Sequence, residues 1–361
     1  MKVCFFGSYE QGTYNLLLKK ILELQGIEVI ECHENVDGVF SFFCAYLKLP
    51  FKHRNLHYDV MIIPWRGIMT LPLAKIISNR PIIQFAFISI YDTLVNDRKI
   101  VNPNSIKAKI IHFLEKQFYK IPDMIILDSF QEINYFVNEY SLSKKKFRRL
   151  FLSADETKFR PIEFKKSNKH FTVLYFGSFI PVHGVEVILE AAKVLSNHDD
   201  IIFKFCGDGQ IRSKMQNLAK KYELKNVEFL GYVSDETLLK NIANSDVCLG
   251  LLGQTKKAIR CISNKTFEIL ASKRPLIALD SVGVKEIGVE NGSNCILVPQ
   301  GNPNELARAI LFLKNNSDIK ERIAAEGYLL FRRNLSMEKM GKKALGYIKE
   351  LLPNEQSYYA L

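Results

Sequence analysis

A basic segment in the second half of the chain leads into a predicted helix that carries one carboxylate. Four cations precede Glu268 within a short stretch: Lys256, Lys257, Arg260 and Lys265. Because Lys265 and Glu268 are three residues apart, they project from one face of the helix near its amino terminus. A lysine there suits a diphosphate, and a nearby carboxylate suits a pair of ribose hydroxyls. The alternative is a solvated basic loop followed by an ion pair within the helix.

Two predicted strands of the same half end in glycine. Gly177 ends one strand, Gly184 opens the helix that follows, and Gly207 ends a second strand within the sequence GDG. The backbone N–H groups of such turns, together with the dipole of the helix, form an anion site. Glycines also end many ordinary strands, so the pattern by itself indicates either a phosphate-binding loop or a simple turn.

Charged residues also follow a predicted buried strand in the first half. In the sequence SIYDTLVNDRK, Asp92 could bind or deprotonate a substrate hydroxyl, and Arg98 and Lys99 could bind a phosphate. A structural loop network is the alternative for each of them. Gly7 and Gly12 flank the end of the first strand, where they let the backbone approach a ligand closely.

Length, composition and charge restrict the class of protein. The chain has 361 residues, 47% of them apolar and 24% charged, which predicts a globular protein of two domains and excludes general disorder. It shows no apolar window long enough for a membrane span and no signal peptide, so we expect a cytoplasmic protein. Its net charge of +12 suits phosphates and an anionic membrane surface, and no nucleic-acid partner is expected. Seven scattered cysteines without a C-x-x-C pair argue against a zinc or disulfide framework.

Alternating strands and helices must position these groups. A strand at 3–7, a helix at 14–26 and a strand at 27–32 begin a parallel α/β sheet, and the pattern restarts with a strand at 171–179. We therefore predict an α/β fold of two Rossmann-like domains that face each other across a cleft. The predicted domains are 1–160 and 161–335. The last segment, 336–361, is predicted to be a helix and tail that cross back onto the first domain.

Five blocks of the second half resemble, in order and spacing, the family-4 retaining glycosyltransferases, whose two-domain fold is called GT-B. They are FGSFIPVHGVEVILEAAKVL, FKFCGDGQ, VEFLGYVSDETLLKNIANSDVCLGLL, SNKTFEILASKRPLI and GSNCILVPQGNPNELARAI. The first half adds FISIYDTLVNDRK (87–99) and YFVNEYSLSKKKFRRLFLSADETKF (135–159). The resemblance implies a retaining hexosyltransferase that uses a nucleotide-sugar donor and a saccharide or lipid-linked acceptor, in bacterial surface polysaccharide synthesis. It also implies that no metal or other cofactor is needed.

The resemblance implies roles for individual residues. Gly177 would border the donor diphosphate, and Glu268 matches the second glutamate of a Glu-x7-Glu motif that holds the donor ribose. Tyr232 and Val233 would meet the nucleobase through backbone atoms. The predicted donor-binding residues are Gly177, Ser178, His183, Gly184, Gly207, Tyr232, Val233, Lys256, Lys265 and Glu268. The predicted acceptor-side residues are Gly7, Gly12, Asp92, Arg98 and Lys99.

The chain departs from the family at three positions. Ser178 and His183 stand where much of the family has an arginine and a lysine, and Arg260 replaces the first glutamate of the motif. We hypothesise that Arg260 and Lys265, with Lys256, supply the missing cations, because a leaving diphosphate needs positive charge beside it. His183 is either a neutral phosphate donor or a turn residue. The predicted catalytic residues are Arg260, Lys265 and Asp92.

Residues 38–54 mix phenylalanines with Lys48, Lys52 and Arg54, and the sequence KKKFRR at 144–149 adds five cations. This composition is typical of an interfacial helix at anionic lipid headgroups on the inner face of the cell membrane. A core helix beside a solvated basic loop is the alternative.

Other functions remain open. A non-hydrolysing sugar-nucleotide epimerase could use the same scaffold, and Arg260 in place of a family glutamate would also fit a catalytically inactive nucleotide-binding scaffold. A nicotinamide-dependent oxidoreductase is disfavoured, because GSYEQG (7–12) and GSFIPVHG (177–184) lack the G-x-G-x-x-G spacing.

Overall fold

The computed structural model describes residues 1–8, 12–36, 38–162 and 170–353. The chain divides into two compact units. The first contains residues 1–95, 99–152 and the segment from Met337 onward, and the second contains Asn96–Arg98 and Ser153–Ser336. The boundary between the units therefore lies after Leu152, whereas the sequence predicts it between residues 160 and 161. Residues 96–98 also belong to the second unit.

A parallel six-stranded sheet forms the centre of the first unit. Its strands are β1 (Lys2–Ser8), β2 (Glu28–Glu34), β3 (Val60–Ile63), β4 (Ile82–Phe85), β5 (Met124–Leu127) and β6 (Phe147–Arg149), in the spatial order β2-β1-β3-β4-β5-β6. β3, β4 and β5 are completely buried, as expected for parallel strands covered by helices on both faces. Because β2 and β3 lie on opposite sides of β1, the strand order reverses at β1, and ligands of open α/β sheets bind at such a point.

The helices of this unit follow the predicted alternation. They are α1 (Thr13–Glu23), α2 (Val39–His53), α3 (Leu71–Ile77), α4 (Ile106–Phe118) and α5 (Phe130–Tyr140). A 3-10 turn at Gly67–Thr70 precedes α3, and Asp92–Asp97 forms a π-helix between β4 and α4. The side chains of Ser105 and Ser129 accept hydrogen bonds at the amino ends of α4 and α5, and these caps determine where both helices begin.

The second unit repeats the architecture with its own parallel sheet. The strands are β7 (Phe171–Phe176), β8 (Ile201–Cys206), β9 (Val227–Gly231), β10 (Val247–Leu249), β11 (Leu276–Leu279) and β12 (Ile296–Val298), in the order β12-β11-β10-β7-β8-β9. The helices are α6 (Val185–Val194), α7 (Arg212–Lys221), α8 (Asp235–Asn244), α9 (Lys256–Arg260), α10 (Asn264–Ala271), α11 (Val282–Lys285), α12 (Pro303–Asn315) and α13 (Ser317–Leu330). The predicted class of two Rossmann-like sheets is therefore confirmed.

The final helix, α14 (Met337–Lys349), belongs to the first unit and packs on α1. A Cβ on Gly341 would lie 2.8 Å from the carbonyl oxygen of Ile21, so only glycine allows the two helices this approach. Tyr347 Oη donates to the carbonyl of Arg149 (2.9 Å) and holds the helix against β6. Throughout the described ranges, each helix is too short or too polar to cross a bilayer.

Candidate active site

Two glycine turns at the carboxyl ends of β7 and β8 press against each other. Gly177 and Gly207 have φ angles of 129° and 136°, a region that favours glycine. A Cβ on Gly207 would overlap the carbonyl oxygen of Gly177, and Gly177 N donates to the carbonyl of Cys206 (2.9 Å). These turns expose backbone rather than side chains at the sheet edge, as a phosphate-binding loop requires.

Gly184 brings the amino end of α6 against the segment that follows β10. It has a φ of 72°, and a Cβ there would overlap the carbonyl group of Leu252. Leu252 N in turn donates to the carbonyl of His183 (3.3 Å). The close approach explains why a glycine opens this helix. It also places the turn before α6 against the residues that lead into the basic segment.

Lys265 projects from α10 to the Gly177 turn. It is only 4% exposed, and its Nζ would lie 3.1 Å from a Cβ on Gly177. The ammonium also lies 4.3 Å from the centre of the Tyr175 ring. Burial lowers the pKa of Lys265 to about 7, against the attraction of Glu268. A buried cation beside glycine backbone has the chemistry that an anion site requires, since an added anion would restore the electrostatic energy lost on burial.

His183 is tied to its own turn. Its Nδ1 lies 2.6 Å from the carbonyl oxygen of Ser178, which also accepts from Tyr175 Oη (2.7 Å). Burial and the neighbouring Lys265 keep the pKa of His183 well below its usual range, so the ring is neutral. Its one proton is then used at Nδ1, because the partner there is a carbonyl. This geometry favours the turn-residue alternative over a phosphate donor.

Glu268 lies one helical turn after Lys265, among charges from two other segments. Burial raises the pKa of Glu268 to about 7, with Asp235 acting in the same direction and Lys158 opposing it. Lys158 Nζ and Asp235 Oδ2 form an ion pair at 2.5 Å. Asp235 begins α8, three residues after the exposed Tyr232, which is the predicted nucleobase residue.

The basic segment is not a loop. Residues 256–260 form α9, in which Lys256 is exposed and Lys257 is buried, so Lys257 rather than Lys256 points into the unit. The charge of Lys257 contributes to the lowered pKa of His183. Arg260 ends α9 where its carbonyl oxygen packs against Gly283. Among the four cations, Lys265 lies nearest to Gly177, since the atoms closest to a Cβ there belong to Lys265 and His183.

Sequence reasoning missed Lys158 and Asp235. Both lie within the sequence blocks quoted above, but the spacing of those blocks does not relate either residue to Glu268. Their relation to Glu268 exists because the segment after residue 153 folds beside α8. Lys257 was one of the four cations of the basic segment but not one of the predicted site residues, because its burial in α9 depends on tertiary packing.

The predicted acceptor-side residues lie in different local environments. Gly7 lies near the end of β1 with a φ of 144°, and Gly12 caps α1. Asp92 is buried at the start of the π-helix, with its N–H donating to Ser89 Oγ (2.9 Å). Arg98 is placed with the second unit, where Gln210 Nε2 donates to its carbonyl (3.0 Å), whereas the exposed Lys99 belongs to the first.

Most of the second unit is similar to known proteins. Residues 156–329 match the family Glycosyl transferases group 1. An uncharacterized glycosyltransferase of Methanocaldococcus jannaschii is 30% identical over 166 residues, which cover 46% of this chain and 44% of that protein. The alpha-D-kanosaminyltransferase of Streptomyces kanamyceticus is 29% identical over 181 residues, covering 50% of this chain and 45% of that protein. The chain thus aligns with less than half of the length of these curated relatives.

Solved structures show the same fold over nearly the whole chain. A sucrose-phosphate synthase from Thermosynechococcus elongatus superposes with a TM-score of 0.75 at 15% identity, covering 97% of this chain and 98% of that one. The Anabaena protein HepE, in complex with UDP and glucose, superposes with a TM-score of 0.73 at 15% identity, covering 97% and 99%.

The two parallel sheets therefore have the GT-B fold. Within that class, residues 156–329 are similar to the family Glycosyl transferases group 1, and this match covers just under half of the chain. The resemblance seen in the sequence is confirmed at this level.

Proposed function

We propose that the protein is a glycosyltransferase that takes a sugar from a nucleotide-sugar donor held in the second unit. The observation that carries the proposal is the buried ammonium of Lys265 against the glycine turn at Gly177. In this arrangement Lys265 and the turn at Gly177 bind the diphosphate, and Glu268 accepts hydrogen bonds from the ribose. The family match and the UDP bound to the Anabaena relative support the same assignment.

The proposed reaction proceeds with retention and transfers a hexose. The bond between the anomeric carbon and the diphosphate oxygen breaks, and the acceptor hydroxyl attacks from the side that the diphosphate leaves. Its proton passes to the departing diphosphate, so no protein nucleophile is required. Lys265 stabilises the negative charge that grows on the leaving group. Following the resemblance, we propose that this positive charge takes the place of a metal ion.

The test is calorimetric titration with UDP-, GDP- and TDP-sugars, followed by turnover assays. Lys265→Ala and Arg260→Ala should each lower turnover at least about tenfold, as expected for loss of a cation at a leaving phosphate. Lys240→Ala, on the exposed side of α8, is the matched control and should behave as wild type. Failure of every nucleotide to bind would reject the proposal, and binding without turnover would favour the inactive scaffold.

We further propose that the acceptor is a saccharide or a lipid-linked saccharide of a bacterial surface polysaccharide, used by a cytoplasmic enzyme at the inner face of the membrane. Helix α2 supports this, because its residues at positions 40, 43, 47 and 51 are between 64% and 83% exposed: Phe40, Phe43, Leu47 and Phe51. The helix contains no acidic residue and ends in Lys52 and His53. Lys48 and Lys52 of this helix both pair with Glu34 of β2, so the proposed contact depends chiefly on the exposed apolar stripe, which suits the lipid interface.

The second basic segment contributes less to this proposal. Arg148 pairs with Glu350 (2.6 Å), and the guanidinium of Arg149 lies over the rings of Phe130 and Phe151 at 4.3 and 4.5 Å. Lys146 Nζ donates to the carbonyl of Lys120 (2.5 Å). These contacts hold residues 146–149 against the protein, so the proposed lipid contact rests on α2.

Flotation with vesicles tests the lipid contact. The wild type should float with phosphatidylglycerol vesicles and stay at the bottom with phosphatidylcholine. The double variant Phe43→Ser and Leu47→Ser should lose flotation, whereas Phe312→Ser, at an exposed position of the second unit, should keep it. A wild type that remains at the bottom with anionic vesicles would remove the idea.

A further inference from the structure

Tyr175 lies in a central strand of the second sheet, two residues before the Gly177 turn. It belongs to β7, which pairs with β8 on one side and β10 on the other, and it is 1% exposed. Its ring centre lies 5.7 Å from that of Phe179, whose ring is nearly perpendicular to it, and 5.8 Å from that of Phe205. A ring that is packed this closely in a central strand has a fixed orientation.

The hydroxyl of Tyr175 ties the turn to the sheet. Tyr175 Oη donates to the carbonyl oxygen of Ser178 (2.7 Å). The same oxygen accepts from His183 Nδ1 (2.6 Å) and from Ile180 N (3.1 Å). These donors belong to the strand, to the turn that follows it and to the far end of that turn. Residues 175–183 are therefore held around one carbonyl group.

The ring of Tyr175 also lies against the ammonium of Lys265. Lys265 Nζ is 4.3 Å from the ring centre and 3.4 Å from His183 Nδ1. A cation at this distance from a ring centre is attracted by the negative face of the ring. The attraction is strongest where water is excluded, and Lys265 is only 4% exposed.

The ring and the turn together define the place of this ammonium. A Cβ on Gly177 would lie 3.1 Å from Lys265 Nζ, so the turn borders the cation on one side and the ring borders it on another. A lysine ammonium is carried on a flexible four-carbon stem, which loses rotamer entropy when it is fixed. Neighbours that fix it before a ligand arrives reduce that cost at the moment of binding.

We propose that Tyr175 is the positioning residue of this site: its ring holds the ammonium of Lys265, and its hydroxyl holds the turn that the ammonium borders. One buried side chain thereby fixes the distance between the cation and the glycine backbone. A phenylalanine would fill the same space in the core but would take one donor from the Ser178 carbonyl. That the anion bound there is a nucleotide diphosphate rests on the proposed function; that Tyr175 places Lys265 does not.

A series of fluorinated rings tests the contact with Lys265 in the protein without ligand. Phenylalanine and its mono-, di- and trifluorinated forms are placed at position 175, and NMR of isotope-labelled lysine follows the titration of Lys265, whose signal Lys265→Met identifies. Each fluorine weakens the negative face of the ring with little change in volume, so the pKa of Lys265 should fall stepwise along the series. The other titratable groups beside Lys265 stay the same throughout: Glu268, Cys261 and His183. A constant pKa across the series would overturn the proposal.

A double-mutant cycle tests whether Tyr175 acts through Lys265. By calorimetry with UDP and with inorganic pyrophosphate, Tyr175→Leu should weaken binding at least about tenfold, whereas the same substitution in the Lys265→Met background should weaken it less than about twofold. Tyr175→Phe, which keeps the ring, should retain more of the affinity than Tyr175→Leu. Phe203→Leu, at another buried aromatic residue of the same core, is the matched control and should leave the affinity unchanged. An equal loss of affinity in both Lys265 backgrounds would show a structural role only and overturn the proposal.

Failure of the proposed function looks different. If no nucleotide binds, the proposed glycosyl transfer is rejected, and the fluorinated series still decides the role of Tyr175 because it needs no ligand. If nucleotides bind and turn over while the titration of Lys265 ignores the ring at position 175, the positioning role is rejected and the proposed function stands.

Discussion

Lys265 is a buried cation whose charge depends on what lies beside it. In the protein without ligand, its ammonium faces Gly177 backbone, the Tyr175 ring and the neutral His183, and Glu268 opposes the cost of burial only in part. The lowered pKa of Lys265 expresses that imbalance. A diphosphate placed at the turn would favour the protonated form and raise this pKa again.

This predicts a pH dependence of donor binding. Because the pKa of Lys265 is about 7 without ligand and rises when a diphosphate binds, binding takes up a proton above pH 7. The affinity for a nucleotide sugar, whose diphosphate does not titrate in this range, should fall as the pH rises from about 6 to about 9. Calorimetry in two buffers of different ionisation enthalpy measures the proton uptake.

Glu268 needs its own control, because burial raises its pKa to about 7 as well. Its ionisation at higher pH also disfavours an anion, so both groups act in the same direction. Lys265→Met should remove most of the proton uptake, and Glu268→Gln should leave the part that belongs to Lys265. An affinity that stays constant across this pH range would contradict the role of Lys265.

At the scale of elements, a buried carboxylate organises the segment between β4 and α4. Glu115 of α4 accepts five hydrogen bonds of 2.7–3.0 Å, from the backbone N–H groups of Ile90 and Tyr91 and the hydroxyls of Ser89, Tyr119 and Tyr140. Burial and the Glu115 charge raise the pKa of Tyr119 and Tyr140 well above 10, so both hydroxyls remain donors. One side chain therefore anchors the start of the turn that carries Asp92.

Glu115→Gln should destabilise the first unit. The amide keeps the shape but replaces one acceptor oxygen with a donor group, which leaves buried N–H or O–H groups without acceptors. A loss of about 2–4 kcal/mol in the free energy of unfolding is expected. Denaturant titration measures it, with hydrogen exchange at Ile90 and Tyr91 showing where the loss occurs.

Glu139→Gln is the matched control for this prediction. Glu139 pairs with His112 at 2.8 Å where both side chains are about one-third exposed, and such pairs contribute at most about 1 kcal/mol. Equal stability of Glu115→Gln and wild type would show that the five hydrogen bonds are not the anchor that their geometry indicates.

Several elements follow from the sequence alone, and others do not. The buried runs that became β3, β4 and β5 predict strands because continuous apolar residues fit a sheet covered on both faces. The π-helix at Asp92–Asp97 and the short helix α9 had no such signal, because each is too short for its apolar residues to show a helical repeat. α13 also has little signal in the sequence, because its apolar residues follow only a weak helical period.

At the scale of the whole molecule, the chain returns to the first unit after completing the second. The inward-facing residues of α14 are buried: Met337, Met340, Ala344 and Ile348. The end of this helix is joined to β6 by the hydrogen bond of Tyr347 and by the Arg148–Glu350 ion pair. The first unit is thus built from both ends of the described sequence, although the second interrupts it.

Truncation of the chain after Ser336 removes α14. It should destabilise the first unit, to which α14 belongs, rather than the second unit, which directly precedes α14 in the chain. Removal of α14 exposes the face of α1 around Ile21 and removes the contacts of the buried apolar side chains of α14. The free energy of unfolding of the first unit should fall by about 3–5 kcal/mol. Hydrogen exchange followed by mass spectrometry should show faster exchange in α1 and β6 and unchanged exchange in β7 and β8. Faster exchange confined to the second unit would contradict this assignment.

The sequence by itself determined the two parallel sheets, the glycine-ended strands and the family of the second unit. These depend on local patterns: buried apolar runs, residues that allow a positive φ, and motifs read in order along the chain. It also indicated Lys265 and Glu268 together, because their spacing places them on one face of one helix.

Only the tertiary structure decided which groups from distant segments meet. It brought Lys265 rather than Lys256 to Gly177, buried Asp92, and joined Tyr14, Trp65 and Phe87 into one cluster. The reason is that a parallel sheet gathers the carboxyl ends of strands that are tens of residues apart. Spacing along the chain carries no record of that neighbourhood.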